Sequence, residues 1–347
     1  MITDAIRSVV EGKNLSREEA FAVMDAIMSG QATDAQIAAF LTALRMKGET
    51  VEELIGFARV MREKVSLVKT RARVQTSLSG TDREMLVDTC GTGGDATGTF
   101  NVSTATAFVV AGAGIPVAKH GNRSVSSLCG SADVVEALGV RLDLPPERVG
   151  KCVDEVGIGF CYAPLLHKAM KFVMLARREI RIRTVFNILG PLTNPARASA
   201  QVIGVYDGAL ALMMAQVLKE LGTTRAYVVH GEDGLDEIST TGDSQIAELR
   251  DGDIQCYRIA PEDFGLKRAS LVDLKGGSAA DNAEIIHRIL NGEPGPKRDI
   301  VLLNAGAAIA AGGKAKDIAE GVKVAEASIA SGAARQRLER LVAFCAS

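Results

Sequence analysis

The N-terminal part of the chain carries apolar residues at helical spacing. Three stretches place apolar side chains three or four positions apart, which gathers them on one face of a helix. These stripes are Phe21, Met24, Ile27 and Met28; Ile37, Phe40, Leu41 and Leu44; and Leu54, Phe57, Ala58 and Met61. Each follows a pair typical of a capped helix start, namely Ser16 with Glu19, Thr33 with Gln36, and Thr50 with Glu53. The pattern predicts a small helical bundle with a shared core.

The pattern changes near residue 75, within a polar connection over 65–81. Short apolar runs then alternate with amphipathic stretches. They predict strands at 85–88, 115–118, 201–206 and 226–230, and helices at 103–111, 132–138 and 210–221. Further along, 244–259 predicts an antiparallel hairpin, and 281–290, 299–311 and 318–329 predict helices that pack back on the sheet. Short apolar strands separated by helices favour a mostly parallel sheet covered on both faces.

These elements indicate an α/β protein in which a small N-terminal helical bundle domain is hinged to a large α/β domain with a mostly parallel central sheet. A chain of 347 residues with 47% apolar content is long enough for two domains and a large core. We place the helical domain at residues 1–75 and the start of the large domain at residue 80.

Charge and hydropathy exclude several classes of function. A formal net charge of −2 argues against a broad surface for nucleic acid, so any anion site must be local. No apolar run approaches the length of a membrane span, and Asp4, Arg7 and Glu11 interrupt the N-terminus where an export signal would be apolar. The six cysteines show no metal-binding spacing. We therefore expect a cytoplasmic protein with reduced cysteines and neither a nucleic-acid nor a membrane partner.

The segment 88–101, DTCGTGGDATGTFN, predicts a loop that binds an anion. It lies between a predicted strand and a predicted helix, and it holds four glycines and four threonines. Glycine allows close approach of backbone N–H groups to a ligand, and the positive end of the following helix dipole points into the same space. Phosphate or pyrophosphate is the ligand that such a loop favours.

Three interpretations of this loop compete. A P-loop is excluded because Thr99 follows Gly98, where a lysine is required. A dinucleotide-binding loop fits Gly91, Gly93 and Ala96, but it expects an acidic residue after the next strand, where basic residues stand instead. That interpretation and a glycine-rich turn without a ligand both stay open on these residues alone.

Three polar segments follow predicted strands. They are the glycine loop, the segment KHGNRSVSS over 119–127, and the segment HGEDGLDEIST over 230–240. Ligands in parallel sheets bind beyond the carboxyl ends of the strands. Because the third segment holds Asp233, Asp236 and Glu237, and magnesium prefers hard oxygen ligands, we predict a carboxylate cluster that binds Mg²⁺ beside a substrate with several phosphates.

Five motifs in order then carry a resemblance. They are Gly91-Thr92-Gly93-Gly94-Asp95 with Thr99, Asn101, Ser103 and Thr104; KHGNRSVSS over 119–127; Gly130-Ser131-Ala132-Asp133; Arg183-Thr184-Val185-Phe186-Asn187 through Pro195; and Asp233-Gly234-Leu235-Asp236-Glu237. From end to end the chain resembles the anthranilate phosphoribosyltransferases of tryptophan biosynthesis. One departure is Lys168 in the segment that usually reads His-Pro-Ala-Met-Lys.

The resemblance implies a fold of the nucleoside phosphorylase/phosphoribosyltransferase type. The helical domain would be completed by about 176–195, so that the large domain spans 80–175 and 196–347, and a homodimer would form through the helical domains. The implied enzyme is a glycosyltransferase that uses Mg²⁺ and moves the 5-phosphoribosyl group from 5-phosphoribosyl 1-pyrophosphate to the amine of anthranilate.

The resemblance also implies roles for individual residues. Metal ions would be held by Ser103, Asp236 and Glu237. The phosphoribosyl pyrophosphate would be lined by Gly91, Gly94, Asp95, Thr99, Asn101, Ser103, Thr104, Lys119 and Ser131. The aromatic acid would meet Asn122, Arg177, His120 and Pro191, and the candidates for a catalytic role are Lys119, His120 and Arg177.

Two other enzymes remain as alternatives. A phosphoribosyltransferase for another aromatic amine would share the whole donor site. A pyrimidine nucleoside phosphorylase of the same fold would carry Lys-His-Ser-Thr-Gly-Gly, which is absent, and would have no use for the pair Asp236-Glu237.

Overall fold

The computed structural model describes residues 2–71, 85–94, 97–124 and 128–346. The chain begins with four helices, α1 (Ile2–Val10), α2 (Arg17–Met28), α3 (Asp34–Lys47) and α4 (Val51–Lys64). The predicted caps of α2, α3 and α4 are confirmed, since each Ser or Thr accepts an N–H at the third helical position and each Glu or Gln side chain accepts in return. Helix α1 was not predicted.

A seven-stranded sheet with its helices forms the rest of the described residues. The elements are β1 (Val87–Gly91), α5 (Val102–Gly112), β2 (Val117–Gly121), α6 (Ser131–Ala137), α7 (Pro146–Val156), β3 (Ile158–Tyr162), α8 (Ala163–Leu166), α9 (Met174–Ile180), α10 (Val185–Leu192), β4 (Ala200–Gly204), α11 (Ala209–Glu220), β5 (Arg225–Gly231), β6 (Ser244–Arg250), β7 (Asp253–Ile259), α12 (Ala279–Leu290), α13 (Pro296–Ala311), α14 (Ile318–Ala330) and α15 (Ala333–Ala346). The predicted hairpin is β6 and β7. The elements α7, β3, α8 and α15 were not predicted.

The strand order is β3-β2-β1-β4-β5-β6-β7. The first five strands in this order are parallel, and β6 and β7 add an antiparallel edge, so the predicted mostly parallel sheet is confirmed. Next to the β1–β4 pair, β2 lies beside β1 and β5 lies beside β4. The connection from β1 to β2 and the connection from β4 to β5 therefore leave this pair in opposite directions. A crevice is expected at the carboxyl ends of these two strands.

Helices cover both faces of the sheet. Val202 and Val229 pack in a core with α5, α13 and α14, while their neighbours Ile203 and Val228 pack in a second core with α11 and the N-terminal helices. Side chains from α10, among them Ile188, belong to that second core. Within the described residues no helix is long and apolar enough to cross a membrane.

Candidate active site

The glycine loop leaves β1 at the crevice between β1 and β4. Its first residue, Thr92, donates its N–H to Gly204 O at 2.9 Å, which ties the loop to the end of β4. Gly93, Gly94 and Gly98 have φ angles of 66°, 79° and 69°, in the left-handed region that favours glycine. Asp95, predicted in the donor site, lies outside the described residues. The loop ends at Asn101, where α5 begins, so the helix dipole points toward it.

Asp236 lies against this loop from the segment that follows β5. Its Oδ2 accepts the N–H of Gly93 at 2.8 Å. A Cβ atom at Gly91 would collide with the Asp236 carboxylate, and one at Gly204 would collide with the Asp236 backbone carbonyl. Two glycines on adjacent strands therefore leave the space that Asp236 fills.

Glu237 and Ser103 meet at the first turn of α5. The N–H of Ser103 donates to Glu237 Oε1 at 3.1 Å, and Lys119 Nζ donates to Ser103 Oγ at 3.3 Å. The structure thus brings the three predicted metal-binding residues to the glycine loop, although Ser103 and the two carboxylates are far apart along the chain.

These three side chains suit Mg²⁺ as ligands. They supply a hydroxyl and two carboxylates, all hard oxygen ligands. Across 2–71, 85–94, 97–124 and 128–346, no group of three or more His, Cys, Asp or Glu side chains forms a metal site by itself. Magnesium is commonly held by one or two carboxylates together with substrate phosphates, so a pair of carboxylates fits better than a closed cage.

Asp233 does not belong to this set, so the prediction of a three-carboxylate cluster was wrong. Its Oδ2 accepts the hydroxyls of Ser239, at 2.5 Å, and Thr241, and its Oδ1 accepts the N–H of Leu235 at 3.3 Å. Short-range hydrogen bonds hold Asp233 in its own turn, as is common for Asp in turns. The prediction included Asp233 among the metal-binding carboxylates only because it lies close to Asp236 and Glu237 in the sequence.

Lys119 and His120 lie within β2 rather than in the loop beyond it, because β2 ends at Gly121 and not at the predicted residue 118. Lys119 is buried, and its Nζ donates to Thr89 O at 2.6 Å. Burial lowers the pKa of Lys119, whereas the nearby Asp88 carboxylate opposes that shift. Burial also raises the pKa of Asp88, with Lys119 opposing the rise. The two charges offset each other beneath the glycine loop.

His120 faces a second buried histidine. The Nε2 atoms of His120 and His167 are 3.1 Å apart, and the ring centroids are 5.0 Å apart. Burial lowers the pKa of His120 well below its ordinary value, and the nearby His167 lowers it further. Burial alone lowers the pKa of His167 to about 4. Both imidazoles are therefore neutral at pH 7, and His120 Nε2 is already hydrogen-bonded to His167.

This pair predicts a loss of stability in acid. Because the pKa of folded His167 lies below 6.5, its ordinary value, its stabilising contribution is complete above pH 6.5 and is lost as the pH falls through 4. Between pH 7 and pH 4.5 the free energy of unfolding should fall by about 2 kcal/mol less in His167→Gln than in the wild type. Urea unfolding at both pH values measures this difference. His287→Gln, which changes an exposed histidine, should follow the wild type, and identical pH dependence in all three proteins would contradict the prediction.

Asn122 and Ser131 are brought together at the end of β2. The N–H of Asn122 donates to Ser131 Oγ at 3.2 Å, and that hydroxyl donates to Asn122 O at 3.3 Å. Thr104 Oγ1 is buried and, in the part of the chain that the structure describes, has no hydrogen-bond partner. Thr99 pairs with Lys275 in an antiparallel bridge. The described residues that were predicted to bind the phosphoribosyl donor therefore lie at the end of β1, in the glycine loop, in β2 and at the starts of α5 and α6.

Arg177 lies on α9 and is partly buried, whereas Arg178 and Arg181 are exposed. Its guanidinium carbon lies 5.3 Å from the centroid of the Phe186 ring, and burial lowers its pKa. Arg177 therefore does not belong to a fully solvated basic face. The convergence of Arg177, Asn122 and Pro191 on one acceptor pocket stays a prediction.

Arg183 contacts the glycine loop, which the sequence analysis did not predict. Its Nη2 donates to Gly94 O, and its guanidinium carbon lies 4.4 Å from the centroid of the Tyr206 ring. His167 was also missed as a partner of His120. The only sequence signal for Arg183 is its place in the RTVFN motif, which does not show what the side chain contacts.

The chain is similar to known proteins over nearly its whole length. The family described as "Glycosyl transferase family, a/b domain" matches residues 83–335, and "Glycosyl transferase family, helical bundle domain" matches residues 3–65. An anthranilate phosphoribosyltransferase of Pelotomaculum thermopropionicum is 58% identical, with 99% of this chain and 96% of that protein covered. One of Citrifermentans bemidjiense is 56% identical, with 99% of each covered.

Solved structures agree with these sequence matches. Anthranilate phosphoribosyltransferase from Thermus thermophilus has a TM-score of 0.91 and 45% identity, with 99% of this chain and 100% of that chain covered. The Saccharomyces cerevisiae enzyme in complex with PRPP and Mg has a TM-score of 0.88 and 26% identity, over 99% and 98% of the two chains. The same yeast enzyme in complex with 4-fluoroanthranilate has a TM-score of 0.86 and 26% identity, over 99% and 97%.

Proposed function

This chain belongs to the anthranilate phosphoribosyltransferase family, and from that premise we propose that it transfers the 5-phosphoribosyl group from 5-phosphoribosyl 1-pyrophosphate to the amine of anthranilate. The products are N-(5-phosphoribosyl)anthranilate and pyrophosphate, and the reaction serves tryptophan biosynthesis. The observation that carries the proposal is the meeting of Asp236 and Glu237 with the N–H groups of the glycine loop and α5.

The site must stabilise the charge that develops as pyrophosphate leaves C1 of the ribose. Negative charge grows on the leaving group, so catalysis comes mainly from fixed cations and dipoles around its oxygens. Ser103, Asp236 and Glu237 would hold Mg²⁺, which would stabilise that charge as a Lewis acid. The buried Lys119 cation and the N-terminus of α5 lie at the same loop, and both favour negative charge there.

The remaining residues bind and orient the two substrates. We assign the donor to Gly91, Gly94, Asp95, Thr99, Asn101, Ser103, Thr104, Lys119 and Ser131, and the acceptor to Asn122, Arg177, His120 and Pro191. The aniline nitrogen is itself the nucleophile, so holding it in line with C1 is the main task on the acceptor side. Because His120 is neutral and hydrogen-bonded to His167, its role in the proposal is to orient the acceptor rather than to carry charge.

The proposal extends to assembly and location. A homodimer would form through the helical domains, where Val10, Met46 and Met174 expose 69%, 84% and 53% of their surface. We propose that a hinge joins two domains that both bind substrate. One comprises residues 1–75 with 176–195, and the other comprises 80–175 with 196–347. Free cysteines, five of them buried, support a cytoplasmic location.

The test follows anthranilate fluorescence with purified protein, 5-phosphoribosyl 1-pyrophosphate and Mg²⁺. We expect the signal to decay in the presence of all three and to be stable when a chelator removes the metal. Glu237→Ala should abolish the decay, because it removes a carboxylate from the metal site. Glu232→Ala is the matched control, since Glu232 is a neighbour outside the metal site, paired with Arg258 at 3.0 Å, and it should react like the wild type.

The outcomes separate the proposed reaction from its alternative. If calorimetry shows that phosphoribosyl pyrophosphate binds with Mg²⁺ but anthranilate fluorescence does not change, the acceptor is another aromatic amine. If the donor does not bind at all, the proposed function is wrong.

Replacement of Arg177 by glutamine should raise the KM for anthranilate by roughly 10- to 100-fold, because the planar guanidinium would no longer pair with the substrate carboxylate. The KM for phosphoribosyl pyrophosphate should stay within about twofold of the wild type, since the donor site lies at the glycine loop. Steady-state kinetics with each substrate varied in turn measures both values. Arg178→Gln changes the exposed neighbour and should leave both constants unchanged. An equal rise in the two KM values for Arg177→Gln would refute the assignment.

A further inference from the structure

Two buried asparagines lie behind the donor site, one on α13 and one on α12. We propose that Asn304 and Asn282 are positioning residues, Asn304 for the metal-binding carboxylates and Asn282 for the glycine loop. Neither is assigned to a substrate or to the metal above. This inference rests on the proposed function, because it concerns how that same donor site is held.

Asn304 binds the backbone of the residue that follows Glu237. Its Oδ1 accepts the N–H of Ile238 at 2.9 Å, and its Nδ2 donates to Ile238 O, also at 2.9 Å. The amide thus pairs with Ile238 as one peptide pairs with another in a sheet. Its second N–H donates to Ile300 O at 2.9 Å, within its own helix. Asn304 is 1% exposed and Ile238 is fully buried, so water does not replace these bonds.

The hydrogen bond to Ile238 N–H determines the direction of Glu237. That N–H belongs to the peptide that joins Glu237 to Ile238, so Asn304 fixes the plane of this peptide. Glu237 then accepts the Ser103 N–H, and the preceding Asp236 accepts the Gly93 N–H. Loss of the Asn304 amide would leave both buried backbone groups of Ile238 without this partner and free the peptide to rotate. Misplaced carboxylates weaken metal binding.

Asn282 holds the other half of the site through Asn101. Its Nδ2 donates to Asn101 Oδ1 at 3.0 Å, and its own Oδ1 accepts the N–H of Gly277 at 2.8 Å. Because its Oδ1 faces Asn282, Asn101 directs its Nδ2 to Cys129 O, at 3.2 Å. The Asn101 amide thereby joins the end of the glycine loop to the segment before α6. Asn282 is 1% exposed, so it acts on the substrate only through Asn101.

The two asparagines can be separated because they act on different halves of one site. Asn304→Leu and Asn282→Leu are matched variants, since each replaces a buried amide by an apolar group of similar size. Asn304→Gln and Asn282→Gln retain the amide on a longer side chain and serve if a leucine variant does not fold. Three quantities are measured for each: the Mg²⁺ dependence of phosphoribosyl pyrophosphate binding by calorimetry, the KM for each substrate, and the thermal midpoint.

We expect the two leucine variants to change different quantities. Asn304→Leu should raise the Mg²⁺ concentration for half-maximal donor binding by about 10- to 100-fold, the range for outer partners of metal ligands, and saturating Mg²⁺ should restore the KM for the donor. Asn282→Leu should raise the donor KM by about 10-fold at every Mg²⁺ concentration, without a change in the Mg²⁺ midpoint. The KM for anthranilate should be unchanged in both. The glutamine variants should shift the same quantities by less.

Two results would overturn the inference. One is a folded variant with wild-type Mg²⁺ and donor dependence. The other is a uniform change in all constants that follows the thermal midpoint, which would indicate general destabilisation. A wild-type protein that binds no phosphoribosyl pyrophosphate would instead refute the proposed function, so the two failures are distinguishable.

Discussion

Gly204→Ala should lower kcat/KM for the phosphoribosyl transfer by about 100-fold or more while the protein stays folded, because a displacement near 1 Å at a reacting site costs about that much. A Cβ atom at this position would collide with the Asp236 backbone carbonyl, so either β4 or the carboxylate segment must move. Since β4 is hydrogen-bonded to strands on both sides, the carboxylate segment is the part that moves. Circular dichroism and steady-state kinetics together measure the effect.

Gly242→Ala is the control for this substitution. The nearest atoms to a Cβ at Gly242 lie 3.8 Å away, on Asp233, which is ordinary van der Waals distance. This variant should keep the wild-type kcat/KM within about twofold. If Gly204→Ala were as active as Gly242→Ala, the placement of Asp236 against the end of β4 would not matter for the reaction.

The second large effect is expected for Lys119→Met, which should lower kcat/KM by about 100- to 1,000-fold, as when one charge-stabilising donor is removed from an active site. It should also lower the free energy of unfolding by about 3 kcal/mol at pH 7, because Asp88 would remain buried without its nearby cation. Thr89 O would lose a donor at the same time. Kinetics and urea unfolding measure the two effects separately.

A double variant separates the catalytic effect of Lys119 from its effect on stability. Adding Asp88→Asn to Lys119→Met removes the uncompensated charge, so part of the lost stability should return while the activity stays low. Lys323→Met, at an exposed position of α14, should change neither quantity. Recovery of activity in the double variant would show that Lys119 serves only to neutralise Asp88.

The sequence predicted those elements whose local signals agree. Helices α2, α3 and α4 combine a capping pair with an apolar stripe, and both signals refer to the same residues. Strand β3 was missed because its five residues, IGFCY, contain a glycine and follow helix α7 after a single residue. Helix α7 begins at a proline and has few apolar residues in its first turn, so its pattern is weak without knowledge of what covers it.

The residues of the candidate site were likewise predicted only in part. Loop chemistry and motif order predicted Ser103, Asp236 and Glu237, and the structure brings these residues together. Asp233 was grouped with them by sequence proximity alone, but its partners are the hydroxyls of its own turn. Asn304 and His167 could not be predicted, because each contacts a residue dozens of positions away and carries no local pattern. Contacts of this kind follow from the packing of whole helices against the sheet.

The hydrogen bond from Gly93 N–H to Asp236 Oδ2 would make binding of the donor an exchange of partners rather than a simple addition. A phosphate oxygen that took this N–H would displace a carboxylate oxygen, and Asp236 would then be open to a cation. Metal and pyrophosphate would therefore favour each other's binding by thermodynamic linkage. After the transfer the carboxylate would compete with the product for the loop and so limit how tightly pyrophosphate is retained.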